Sequence, residues 1–367
     1  MTTTTTAAHE AEADRVELVY YYALTQLGVH TIEDSLSLWQ DVSPTASAST
    51  TGRWLRTATL LILKRRGTAR DLALSYYRLV RALRTGRTIA DPRKREGAST
   101  SLERLRQEFE TVVDLIAPET AQNPLPDARA GAGEGNSTPE PVKAVTEPSL
   151  APGDDDEQIA VDEIPEMEAL ADRLERDAEE EANLVLDSLG PKNLEDKVSK
   201  LDPEQPANEV DAKRAKAHTE AGVRQAAAAE RISMNAARGF VYAIGSKDPR
   251  LIGWVRYSQT GTPCGWCAML ISRGLIFYSS AEAAQHQGKD QEEDKYHDNC
   301  HCVAVPVFSR SQYDNSSLFD LNREYDHLWQ NGDEANGLPE NPSMSQWRDY
   351  FRRMQKQQDT TPAQAAA

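Results

Sequence analysis

All four cysteines of this chain fall inside one stretch, as Cys264-Gly-Trp-Cys267 and Cys300-His301-Cys302, and His297 stands three residues before the second pair. No other feature constrains the fold as tightly. If the two pairs share a ligand, the 32 residues between Cys267 and Cys300 become a closed loop. Zinc takes four soft or borderline donors in a tetrahedron, and a C-x-x-C turn brings two thiolates to one ion. Gly265 lets backbone N–H groups of that turn face the sulfurs, which stabilises the thiolates. Six donors compete for four places. Cys264, Cys267 and Cys300 lead, with Cys302 or His297 as the fourth and His301 as the remaining candidate.

Three chemistries fit that cluster. A structural zinc site ranks first on spacing. Two disulfides or packed thiols rank second, because the two side chains of a C-x-C strand share a face and can simply pack. A Cys/His nucleophilic pair ranks third, since crowded thiols are a poor setting for a lone nucleophile that needs its own base and oxyanion donor. The sequence carries no GxxxxGK[ST], GxSxG or HExxH, the common nucleotide, hydrolase and zincin signals.

The cellular setting follows from charge and hydropathy. No apolar run approaches the roughly 18 residues of a membrane helix. The opening MTTTTTAAHEAEADR has neither a basic nor an apolar signal region, so no secretion and no membrane are expected. Thiols made in a reducing cytoplasm bind metal more often than they form structural disulfides. The net charge of −17 is unevenly spread. Residues 53–95 hold thirteen Lys/Arg against two acids, while 140–187 hold seventeen acids against three bases. The basic segment is read as the solvated face of helices, ahead of a grip on DNA.

Along the chain, helices are expected over 10–26, from Trp54 to Leu63, from Gly67 to Leu83, and over 101–116, with Gly28 and Gly67 as punctuation. Residues 121–165, rich in Pro, Gly, Ser and acids, have too few large apolar side chains for a core and read as a linker. The acid run Asp154–Glu157 reads as solvated. A charged helix over 165–189 is closed by Gly190-Pro191, and the longest helix is expected over 208–244. Strand composition then appears at 254–257, 275–278 and 302–308, with a short helix over 267–273 and two polar helices at 318–330 and 345–356. His286 and His327 read as isolated surface residues, and Arg238, Arg256 and Arg273 flank the cysteine stretch.

The run Arg256…Cys264-Gly-Trp-Cys267-Ala-Met-Leu-Ile-Ser-Arg-Gly274…Tyr278…Tyr296-His-Asp-Asn-Cys300-His-Cys302…Pro306-Val-Phe308 resembles the C-terminal domain of MuF-like minor head proteins of tailed phages. In that family a C-x-x-C precedes an H-x-x-C-x-C segment, which His297, Cys300 and Cys302 match. The Ser272-Arg273-Gly274 and His297-Asp298 elements are closest to the actinobacteriophage subgroup, often labelled capsid maturation protease or MuF-like fusion. The resemblance covers 212–308, with a loose echo in Tyr76-Tyr-Arg-Leu-Val-Arg-Ala-Leu-Arg84. It implies a minor capsid protein of the head interior or portal vertex, made in the host cytoplasm and built in during assembly. The implied partners are the portal and the major capsid or scaffolding protein, with packaged DNA as a further one. It also favours His297, Cys300 and Cys302 over His301 as donors. No catalytic residue is carried over.

The expected fold is mainly α. A helical region (1–118) and a disordered acidic linker (119–165) lead to an α+β domain (166–310) with a small sheet and a Cys/His clamp at Cys264, Cys267, His297, Cys300 and Cys302, followed by a helical tail (311–367). The expected function is head morphogenesis by binding, with a structural zinc. A maturation protease cleaving scaffold or capsid protein, and a DNA-binding head protein ejected with the genome, stand as alternatives.

Overall fold

The structure is a computed structural model and describes residues 7–45, 48–117, 157–202, 204–258, 263, 265–275 and 302–360. Three long helices make its body: α1 (Ala7–Trp39), α2 (Ala48–Thr85) and α6 (Ala207–Gly245). α6 packs against both α1 and α2. Its alanine-dense middle allows that close approach. The Cβ that Gly222 lacks would stand 2.5 Å from Cδ1 of Trp39, whose Nε1 donates to the His218 carbonyl at 2.9 Å.

Short elements frame this bundle. β1 (Arg87–Ile89), β2 (Ser99–Ser101) and β3 (Gln158–Asp162) form a sheet with β3 in the centre, parallel to β1 and antiparallel to β2. Ser101 caps α3 (Leu102–Ile116) by accepting from the Arg104 backbone N–H, as a serine at a helix start does. α4 (Met167–Asp187) runs through a π-turn at Ser188–Lys192 into α5 (Asn193–Ser199). Beyond α6, β4 (Gly253–Ser258) pairs antiparallel with β5 (Cys302–Val307), and α7 (Gly265–Ser272) lies against β4. α8 (Arg310–Asn315), α9 (Asp320–Asn331) and α10 (Met344–Thr360) complete the described chain.

Several boundaries differ from expectation for physical reasons. α1 continues past Gly28 and α2 past Gly67, because tertiary packing of long helices outweighs the roughly 1 kcal/mol that an internal glycine costs. Gly190 and Pro191 sit inside the π-turn, buried under Trp39 and Trp54, so they bend the chain onto the core without ending the helical run. The linker expected over 119–165 lies outside the described residues as far as 156. Its last part is not linker: 158–162 is the central strand β3, with Ile159 buried. Of the strand expected at 275–278, only Leu275 is among the described residues.

The largest apolar cluster takes side chains from both sides of that stretch. Tyr20, Tyr21 and Leu24 of α1, Tyr76 and Leu79 of α2, Phe240 of α6, Trp254 of β4 and Val305 of β5 share it. The rings of Tyr20 and Tyr76 stack at 3.9 Å, and Tyr21 stacks on Tyr257 at 5.1 Å. A second cluster gathers Trp39, Trp54, Ile62, Ala182 and Leu186. A third lies under α7, where Ala268, Met269 and Ile271 meet Tyr325, Trp347 and Phe351. The two C-terminal helices expected at 318–330 and 345–356 are present and packed into the structure, up to Phe351 at least.

Candidate functional site

The half of the cysteine cluster that the structure describes is built on a two-stranded ladder. Ser258 stands opposite Cys302, and Arg256 opposite Ala304. α7 begins at Gly265 and carries Cys267 on its inner side, so that both described cysteines are buried. Arg256 reaches from β4 to place Nη2 3.8 Å from the Cys267 sulfur. The sulfur is a weak acceptor, and the guanidinium stands as its donor. Asn322 of α9 locks the arrangement by donating from Nδ2 to the Arg256 carbonyl at 2.7 Å and to the Ile271 carbonyl at 3.3 Å. One amide thereby fixes β4, the end of α7 and α9 to one another. Cys302 lies near Tyr325, whose phenol is pushed well up, first by burial and then by neighbouring negative groups.

The turn after α7 is set by Gly274. Its φ of +61° is open to glycine at little cost, and a Cβ there would stand 2.8 Å from the Tyr313 hydroxyl. Of the expected donors, then, Cys267 and Cys302 fall on elements that meet at β4, while Cys264, His297 and Cys300, with His301, lie outside the described residues. Among the described residues no group of three or more His, Cys, Asp or Glu is arranged to hold a metal. Arg256, which by sequence only flanks the cysteine stretch, has the Cys267 sulfur beside its guanidinium. Arg238 is buried on α6, and Arg273 and His327 are exposed.

The basic segment is where sequence reasoning missed most. Arg66, Arg78, Arg81 and Arg84 are buried, not solvated. Arg78 donates to the Ile89 carbonyl at 3.1 Å and forks onto Glu96 at 2.7 and 2.8 Å, with Glu108 on its other nitrogen. Arg81 holds Asp248 and Asp162. Burial alone would lower its pKa, but the hydrogen bonds and charge of those two aspartates outweigh this and hold it above its usual value. Asp162 is in turn held down to about 2, chiefly by its hydrogen bond from Arg87. Arg84 gathers Glu10, Asp14 and Glu17 of α1. Burial pushes Glu17 up to about 7 despite the arginine, and Asp14 and Glu10 push the same way. A signal for this was present. Over 72–84, Tyr76-Tyr77, Leu79-Val80 and Ala82-Leu83 leave no polar face on α2, and a helical stretch apolar all round is buried with whatever charges it carries.

With this geometry in view, the chain can be set beside known proteins. The family described as VG15 protein matches residues 192–328, from the end of the π-turn to α9, a span that contains both described cysteines, Arg256 and Asn322. The Gene 15 protein of Mycobacterium phage L5 is 33% identical over 113 residues, covering 22% of this chain and 38% of that protein. The Gene 15 protein of Mycobacterium phage D29 is 30% identical over 82 residues, covering 16% and 30%. The chain is therefore similar to phage proteins over a minor part of its length, and it spans well under half the length of these relatives. No solved structure matches. No described helix is long and apolar enough to cross a membrane.

Proposed function

We propose that this chain is a phage head-morphogenesis protein of the MuF-like kind, a minor capsid component bound at the portal or shell during procapsid assembly. The observation that carries this reading is the burial of Arg256, Cys267 and Cys302 together within the stretch that matches the VG15 family. Side chains sealed this way can hold a surface in shape but cannot meet a substrate, which favours a clamp over a protease. The helices would then dock on the portal and on the capsid or scaffolding protein. Virion, head interior or portal vertex is the corresponding location.

The clamp would be a zinc site held by Cys264, Cys267 and Cys300, with Cys302 or His297 as the fourth donor. Its metal would supply cross-linking and no chemistry. Arg256 fits such a site, because three or four thiolates on one zinc leave a net negative charge that a guanidinium beside the Cys267 sulfur offsets.

Mass spectrometry of purified virions tests the head reading, with the chain expected at low copy and co-purifying with portal. Its absence from both virions and portal complexes would overturn the reading. Elemental analysis of the purified chain tests the clamp, with about one zinc expected per chain and loss of helical circular dichroism on chelation.

A further inference from the structure

We propose that Glu10, Asp14 and Glu17, gathered on the single guanidinium of Arg84, form a proton-operated latch that locks the start of α1 against α2 and against the junction between α8 and α9. The three acids follow one another at spacings of four and three, so they share one face of α1. Arg84 meets Glu10 through Nη1, and its Nη2 serves both Asp14 and Glu17, the latter at 3.2 Å. Two carboxylates on one nitrogen stand close to each other. Ser316 adds the third element by donating from Oγ to Asp14 Oδ2 at 2.9 Å, while its Oγ accepts from the Leu318 N–H and its carbonyl from Arg323. The Asp14–Ser316 bond joins residues 302 positions apart and lands within the span that matches the VG15 family.

Three carboxylates against one guanidinium leave an excess of negative charge when all are ionised. The side chains of Glu10 and Asp14 are 37% and 24% exposed, whereas Glu17 is sealed at 0%. The N-terminal end of the helix dipole also favours Glu10 as an ion. The proton therefore belongs to Glu17, whose Oε2 is buried without a hydrogen-bond partner among the described residues. Burial pushes this carboxyl up to about 7. Once ionised, Glu17 cannot reach water, but Asp14 and Glu10 can. The repulsion is relieved where it costs least, by unwinding the helix start that carries them, and Asp14 gives up its bond to Ser316. The other groups that face Glu17 hold their charge over this range. Arg84 stays a cation, while burial first of all pushes Tyr21 and Tyr76 well above the ordinary phenol range and Tyr257 up to about 12. His9 and Glu12, on the same two turns, are engaged elsewhere, with Glu157 at 3.3 Å and Arg106 at 2.6 Å. This inference does not depend on the head reading.

Hydrogen–deuterium exchange of the full chain, read by mass spectrometry from pH 5 to pH 9 and corrected for the intrinsic rate at each pH, tests the latch. Amides 11–18 bond back to the carbonyls of the first two turns. They should lose protection as pH rises through 7, by up to about tenfold per pH unit, the limit for release of one proton. Amides 316–319 should follow, and amides 226–240 of α6 should not. Glu17→Gln keeps the neutral shape and should hold protection at both places up to pH 9. Glu10→Gln/Asp14→Asn leaves Glu17 alone with Arg84 and should flatten the same pH dependence, an independent check should Glu17→Gln pack poorly. His9→Gln should leave it unchanged. Wild-type amides 11–18 whose corrected rates do not change with pH overturn the latch. So does a pH dependence that persists in Glu17→Gln or disappears in His9→Gln. A loss shared equally by α6 would overturn it in favour of global unfolding.

Discussion

Arg81 and Asp248 grip each other through two hydrogen bonds, Nε to Oδ2 at 2.7 Å and Nη2 to Oδ1 at 3.1 Å, with both side chains out of water. Tyr77 adds a third donor to the same carboxylate at 2.8 Å. The pair joins the C-terminal end of α2 to the turn that ends α6, and Arg81 passes on to Asp162 of β3. Three segments far apart in sequence are thereby held at one point. Taking two charges out of water is costly, so the pair is better understood as fixing one arrangement than as a large net source of stability.

Removing one partner is another matter. Arg81→Met leaves Asp248 buried with only Tyr77 and its local backbone donor from Arg250, and about 3–5 kcal/mol of stability should be lost. Tyr77→Phe removes a single donor from a charged acceptor and should cost about 1.5–3 kcal/mol. Urea denaturation followed by circular dichroism reads both. An Arg81→Met variant within experimental error of wild type would show that water reaches Asp248.

At Gly222 two effects oppose each other. Alanine in the middle of a helix is normally worth about 1 kcal/mol over glycine. Here the added Cβ would stand 2.5 Å from the Trp39 ring, which is itself held by its bond to the His218 carbonyl. Overpacking of a fixed core costs about 1–3 kcal/mol beyond any gain, so Gly222→Ala should lower the urea midpoint. A raised midpoint would mean that the indole can move aside.

How far the sequence discloses such contacts depends on the kind of signal. The long helices and the β4 and β5 strands are legible because periodicity and β-branched composition are local properties, and Ser101 marks the start of α3 by itself. β3 is not legible. Gln158–Asp162 is too short and too polar to stand out beside an acid run, and it becomes a strand only because Arg87–Ile89 and Ser99–Ser101 offer edges on both sides. Arginine hides its environment for a similar reason. Arg81 and Arg56 are identical as letters, yet one lies in a buried network and the other faces water, and what separates them is the partner Asp248, 167 residues away. At the cysteine cluster, the pairing of thiol with guanidinium was visible only as a flanking arginine, while Asn322, which fixes both backbones, carried no signal at all.

The burial of Cys267 and Cys302 sets an expectation for their reactivity. In the folded protein neither should be alkylated by iodoacetamide on a timescale that labels an exposed thiol, and both should react in denaturant. Peptide mass mapping after a brief pulse gives the answer residue by residue. Asn322→Ala should speed labelling of Cys267, because it releases the amide that ties α7 to β4. Rapid labelling of Cys267 in the wild-type fold would contradict the sealed site on which the clamp reading rests.

Glu17 makes the pH dependence of stability testable in sign. Burial raises its pKa to about 7 in the folded chain, against 4.5 for an ordinary glutamate. Between those values the folded state holds a proton that the unfolded state has released, so stability from this group is complete below about pH 4.5. It is lost as pH rises through 7. A rise of that size corresponds to roughly 3 kcal/mol, reduced if Arg84 and the two other carboxylates on it rearrange as Glu17 ionises. Glu17→Gln keeps the shape without the titration. The variant should therefore match wild type at pH 5 and exceed it at pH 8 in melting temperature. Asp162, held down to about 2 by Arg87 and Arg81, acts in the opposite sense and only in acid, where its contribution disappears as pH falls below 4. The two limbs do not overlap, so a difference between wild type and Glu17→Gln that grows toward acid would mean that Arg84 keeps Glu17 ionised in the folded protein.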